Sequence, residues 1–125
     1  MKPSILVVED EPDVRNLVVM TLKQTDYHIV TANDGVEALK RCEERCPSLI
    51  LLDISMPRVN GLDLLYLLND MEILSRTKVV MLTALGYPEV VEKAISFGVK
   101  DFIVKPFDIY DLLQRVERLL TPDPA

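Results

Sequence analysis

Six residues of this 125-residue chain have the types and positions to do chemistry together. Glu9 and Asp10 follow the apolar run Ile5–Val8. Asp53 follows Leu49–Leu52, Thr83 and Ala84 follow Val79–Leu82, and Lys105 follows Phe102–Val104. A carboxylate delivered by a buried apolar run is costly unless something at that place uses it. Three carboxylates gathered together repel, and one ammonium cannot neutralise them. A hard divalent cation can, because Mg2+ (or, as an alternative, Mn2+) takes oxygen ligands. The chemistry that uses such a set is phosphoryl transfer to a carboxylate: an aspartate attacks phosphorus and holds it as an acyl phosphate. On this reading Asp53 is the phosphoacceptor. Thr83 donates a hydrogen bond to a phosphoryl oxygen, the small Ala84 leaves room for the group, and Lys105 meets the incoming anion as a point charge.

These residues need elements that bring them together. Five apolar runs stand out: Ile5–Val8, His28–Ala32, Leu49–Leu52, Val79–Leu82 and Phe102–Val104. They are short, nearly continuous and rich in Val, Ile and Leu, which suits strands buried on both faces. Helical patterns lie between them. Pro12 suits a first helical position, and Val14, Leu17, Val18, Thr21 and Leu22 follow at helix spacing. Gly35 to Arg45 carries Val36, Leu39 and Cys42 on one stripe and stops before Pro47. Leu62 to Met71 offers Leu64, Leu65, Leu68 and Met71 as its buried face. Pro88 opens a fourth helix with Gly98 as its C-terminal glycine. Asp108 caps a fifth, which runs through Leu112, Leu113, Val116 and Leu120.

Strand–helix alternation five times over predicts an α/β fold, a doubly wound parallel sheet with helices on both faces. In such sheets ligands sit outside the carboxyl ends of the strands, where four of the five runs end in the groups named above. A lone aspartate at a strand end is most often the first residue of a loop; four complementary ends are not readily an accident. Only His28–Ala32 ends without an obvious chemical group, which suits an edge strand.

Composition limits the alternatives. Hydrophobic residues make up 49% and charged residues 27%, as in a globular domain. No run is long enough to span a bilayer, and the N-terminus reaches acids too soon for a secretory signal, so a cytoplasmic location is the default expectation. A net charge of −6 offers no basic stripe for nucleic acid. Cys42 and Cys46, four apart on a predicted helix, would hold their Cβ atoms roughly 5–6 Å apart, beyond the roughly 3.5–4.5 Å of a disulfide. They read as one core thiol and one boundary thiol, and His28 as a strand-edge residue. Residues 1–120 read as one domain, and residues 121–125, "TPDPA", as a proline-bearing tail or the start of a linker.

The chain resembles the receiver domain of two-component response regulators, through "ILVVEDEPDVR", "TANDGVEAL", "LILLDISMPRVNG", "VVMLTA" and "DFIVKPF". The resemblance implies a flavodoxin-like (βα)5 three-layer sandwich with strand order 2-1-3-4-5. It also implies that Asp53 takes its phosphoryl group from the phosphohistidine of a sensor histidine kinase or phosphotransfer protein. Mg2+ would be held by Asp10 and Asp53 directly, by Glu9 through water, and by the backbone carbonyl of Ser55. Thr83 and Lys105 would bind the phosphoryl oxygens, and the Lys105–Pro106 bond would be cis. Thr83 and Phe102 would form the switch that remodels the face of the fourth helix, fifth strand and fifth helix for a downstream effector domain or protein. Phe102 lacks the hydroxyl of the tyrosine that many members carry, and an ordinary half-buried strand aromatic is its plainer reading. Ser55 and Leu85 would flank the path of the hydrolytic water; a leucine cannot orient it, so slow self-hydrolysis is expected. The last helix, "DLLQRVERLL", is a candidate surface for a partner or a phosphorylation-dependent homodimer.

Two other functions fit parts of this pattern. A Mg2+-dependent aspartyl-phosphate phosphohydrolase would carry a second aspartate two residues past the nucleophile, where this chain has Ser55. A phosphate-independent docking module would have lost an acid, Thr83 or Lys105, and none is missing. Turnover of an external substrate is therefore not expected. Nucleotide or flavin binding of the Rossmann type is disfavoured by the lack of a glycine-rich loop after the first run.

Overall fold

The computed structural model describes residues 2–54, 61–83 and 88–121, the side chain of Thr83 excepted. Strands and helices alternate: β1 (Ser4–Val8), α1 (Pro12–Leu22), β2 (His28–Ala32), α2 (Gly35–Glu44), β3 (Leu49–Asp53), α3 (Gly61–Asp70), β4 (Lys78–Thr83), α4 (Pro88–Ser96), β5 (Asp101–Val104) and α5 (Ile109–Leu120). The strands form one sheet in the order β2-β1-β3-β4-β5, and every pair is parallel. This is the doubly wound, flavodoxin-like arrangement expected.

The period-2 alternation of a strand divides the core in two. Leu6, Val8, Ile50, Leu52, Val79 and Met81 face the layer of α2, α3 and α4, where Ala38, Cys42, Leu64, Leu65, Leu68 and Ala94 meet them. Ile5, Val7, Leu49, Leu51, Val80 and Leu82 face α1 and α5, against Val18, Leu22, Leu112 and Val116. β1 and β3 are therefore apolar at nearly every position, because both of their faces are covered. Truncating one of these leucines, such as the fully buried Leu51, would cost about 2–5 kcal/mol.

The strands reach further than the apolar runs alone. Ser4, Asp53, Lys78, Thr83 and Asp101 each extend a strand by one polar residue. α2 begins at a cap, with Asp34 accepting from the Glu37 N–H at 2.9 Å, and ends at Glu44. Cys46 thus lies beyond the helix rather than on it, because Pro47 disfavours helical backbone in the residue before it. Cys42 is buried, Cys46 is half-buried, and both are free thiols. Three positions expected inside are on the surface: Leu17 is 43% exposed, Val36 50% and Met71 38%. Small residues take the inner position on α2, where Ala38 is buried alongside Cys42.

Gly98 follows α4 with φ +88, a left-handed conformation that favours glycine. Asp108 caps α5 by accepting from the Tyr110 and Asp111 N–H groups at 2.7 and 3.3 Å. At the other end of that helix, the Lys78 ammonium donates to the Leu119 carbonyl at 2.5 Å and ties its last turn to the start of β4. No helix among the described residues is long and apolar enough to cross a membrane.

Candidate functional site

Parallel pairing brings the carboxyl ends of all five strands to one edge of the sheet, and the acids collect there. Glu9, one residue past β1, has no exposed surface. Its backbone N–H donates to the Ala32 carbonyl at 3.2 Å, so the end of β2 fixes its position. Both carboxylate oxygens are satisfied: Oε1 accepts from Lys105 Nζ at 2.6 Å and Oε2 from the Glu11 N–H at 3.3 Å. Arg15, on the first turns of α1, donates from Nη1 to the Glu9 carbonyl at 3.1 Å. Asp10 is exposed at the rim. Asp53 closes β3, is 4% exposed, and lies with Oδ1 3.6 Å from Lys105 Nζ, an ion pair longer than a hydrogen bond.

Glu9, Asp10 and Asp53 each offer a carboxylate oxygen within 4.8 Å of the others. Among the described residues three carboxylates gather beside the Lys105 ammonium, an all-oxygen donor set that suits a hard cation, so these residues fit Mg2+. Burial alone would lower the pKa of Lys105. The hydrogen bond to Glu9 and the charges of Asp53, Glu9 and Glu11 outweigh it and raise the pKa above the ordinary lysine value. Lys105 is therefore a cation at neutral pH, held between a buried acid and the aspartate of β3.

Gly61 supports this end from below. Its N–H donates to the Ile54 carbonyl at 2.9 Å. A Cβ there would stand 2.7 Å from Ile54 Cα and 3.0 Å from the Asp53 carbonyl oxygen. Sequence reasoning treats Gly61 as a residue that lets the chain turn; its structural role is to let α3 start in contact with the backbone of Asp53 and Ile54.

The other predicted residues are distributed as follows. Thr83 ends β4 and pairs in register with Val104 of β5, while its side chain lies outside the described residues. Ser55, Ala84 and Leu85 lie there too, as do residues 122–125 of the tail. Phe102 is half-buried on β5 and packs against the core beneath α2, α3 and α4. The Lys105–Pro106 bond is cis. His28 is exposed at the start of the edge strand β2.

Sequence reasoning missed Arg15 and Arg115. Arg115 of α5 donates from Nη1 to both oxygens of Asp101 at 2.8 Å and to the Phe102 carbonyl at 3.4 Å, and from Nε to Asp111 at 3.0 Å. These hydrogen bonds, opposed by partial burial and reinforced by the two charges, raise its pKa. The Asp111–Arg115 spacing of four was a visible helix-pair signal; the reach to β5 was not.

Comparison with known proteins points one way. Residues 5–117 match the response regulator receiver domain. The chemotaxis protein CheY of Listeria monocytogenes is 36% identical over 118 residues, covering 91% of this chain and 95% of that protein. The DNA-binding dual master transcriptional regulator RpaA of a Synechocystis strain is 34% identical over 118 residues, which cover 94% of this chain. The chain spans only 49% of that relative's length. Among solved structures, the chemotaxis protein CheY4 of Vibrio cholerae superposes with a TM-score of 0.89 at 29% identity, covering 96% of this chain and all of that one.

Proposed function

Because the chain belongs to the response regulator receiver family, we propose that it carries a signal as a phosphoryl group on Asp53. An Asp53 carboxylate oxygen attacks the phosphorus of a phosphohistidine on a sensor histidine kinase or phosphotransfer protein. The O–P bond forms, the N–P bond breaks, and the leaving imidazole takes a proton from solvent. Lys105 compensates the charge on the phosphoryl oxygens, with Thr83 as hydroxyl donor and Ala84 as the small neighbour that admits the group. Asp10, Asp53, Glu9 through water and the Ser55 carbonyl would hold Mg2+, which when bound supplies charge neutralisation at the phosphoryl group.

The output half follows from the same reading. Phosphorylation draws Thr83 toward the phosphoryl group, Phe102 turns inward, and the α4–β5–α5 face changes for a downstream domain or protein. Residues 1–120 act as the receiver unit, in the cytoplasm, with no turnover of an external substrate.

The observation that supports this best is the position of Lys105, 2.6 Å from Glu9 and 3.6 Å from Asp53, beside the acid cluster. The test is intact mass after incubation with Mg2+ and acetyl phosphate. A gain of one phosphoryl group is expected in the wild type, and none in Asp53→Asn or without divalent cation. Equal gain in Asp53→Asn would overturn the assignment.

A further inference from the structure

The opposite end of the sheet holds a cavity of about 220 Å3 that the phosphoryl chemistry does not use. Its floor comes from two register pairs of β1 and β2, Ser4 with His28 and Leu6 with Val30. All four stand on the face that α2 covers, since alternate residues of a strand share a face. The roof is the end of α2 and the turn after it: Arg41, Glu44, Arg45 and Pro47. Over the middle of the sheet α2 supplies Ala38 and Cys42, which pack against it. Over the beginning of the strands it supplies long charged residues instead, and the layer stays open.

Three observations give this cavity a chemical character. The protein carries a net charge of −6, yet two guanidinium groups line the cavity, and a second cavity that shares Ser4 and Arg45 adds Lys2. Arg41 is underused: its Nε is buried with no hydrogen-bond partner, and its ion pairs to Glu37 and Glu44 are long, at 3.9 and 3.8 Å. A buried donor without a partner is an unmet demand for an acceptor. Finally, Leu6, Val30 and Pro47 give the cavity an apolar wall.

We propose that this cavity binds a small monocarboxylate with a compact apolar body. The carboxylate is held by Arg41 and Arg45, and the body lies against Leu6, Val30 and Pro47. Guanidinium groups match a planar carboxylate in a forked geometry. Leu6, Val30 and Pro47 offer no partner to a second negative charge, which selects one carboxylate over two. Size agrees as well, since a cavity of roughly 150 Å3 holds benzene, and the volume here leaves room for the acid group.

The test is a titration of the full chain with benzoate, followed by backbone amide NMR. Saturable shifts centred on Ser4, His28, Val30 and Arg45 are expected, with binding at least tenfold weaker in Arg41→Gln and weakened in Arg45→Gln. Both variants lie at the surface, and their unperturbed spectra elsewhere would verify the fold. Benzyl alcohol, which keeps the body and removes the charge, should leave these amides unmoved. The proposal is overturned by an absence of shifts at millimolar benzoate, by equal binding of benzyl alcohol, or by full binding in both variants. Inorganic phosphate moving the same amides with equal affinity would also overturn it, because the cavity would then be an unselective anion site.

Discussion

The ammonium of Lys105 lies 2.6 Å from Glu9 Oε1, a carboxylate sealed from solvent, and 1 Å farther from Asp53. The lysine thus serves the buried acid first. Glu9 depends on it, since its only other carboxylate partner among the described residues is the Glu11 N–H. Removing the lysine would strand a buried charge.

Lys105→Met is accordingly expected to destabilise the protein by about 2 kcal/mol, below the full penalty for breaking a buried pair because the lysine is partly exposed. Lys105→Met combined with Glu9→Gln should recover part of that loss. Urea unfolding midpoints of the wild type, the two single variants and the double variant measure the coupling. Additive losses would show that the pair is not coupled.

Asp10 is the exposed member of three acids that share 4.8 Å. Asp10→Asn should stabilise the protein in EDTA by about 1 kcal/mol or less, read from the unfolding midpoint, because one repulsive charge disappears. In millimolar Mg2+ the order should reverse, with the wild type stabilised by the cation and the variant indifferent to it. Equal Mg2+ stabilisation of both proteins would exclude Asp10 from the metal site.

Gly61→Ala would place a methyl carbon 2.7 Å from Ile54 Cα. That atom belongs to the backbone and cannot rotate aside, so a cost of about 1–3 kcal/mol is expected. The strain falls on the residue after Asp53, so phosphorylation by acetyl phosphate should slow as well. A variant as stable and as reactive as the wild type would show that α3 shifts freely.

Burial, with smaller contributions from Cys46 and Glu43, pushes the Cys42 thiol up to about 11. An unfolded cysteine titrates near 8.5, so the native state holds this proton more tightly. The associated stability is complete below about pH 8.5 and is lost as pH rises through 11, by at most about 3 kcal/mol. Urea midpoints between pH 8 and 11 should therefore fall more steeply in the wild type than in Cys42→Ala. Parallel curves would mean that Cys42 does not titrate in this range.

The strands were legible in the sequence because β1, β3 and β4 are covered on both faces and need no alternation to be recognised. The acid cluster was legible for a related reason: a charge that directly follows a buried run has few places to go. What could not be read was which apolar helix residues face inward. Val36 and Ala38 are both apolar, and only the packing of α2 on the sheet shows that the smaller one is buried. Arg15 was invisible because its partner is a carbonyl, and the reach of Arg115 to β5 because a distant strand has no signature in residue types. The cavity escaped notice because Arg41 and Arg45 meet His28 only when α2 packs over β1 and β2.

The hydrogen bond between Lys105 and Glu9 closes a loop of 96 residues. During synthesis Glu9, Asp10 and Asp53 therefore emerge long before Lys105, and a chain halted before β5 holds these acids without that counterweight. Long-range closure of this kind comes late and slowly. The acid end of the sheet is therefore among the last parts of the fold to be neutralised.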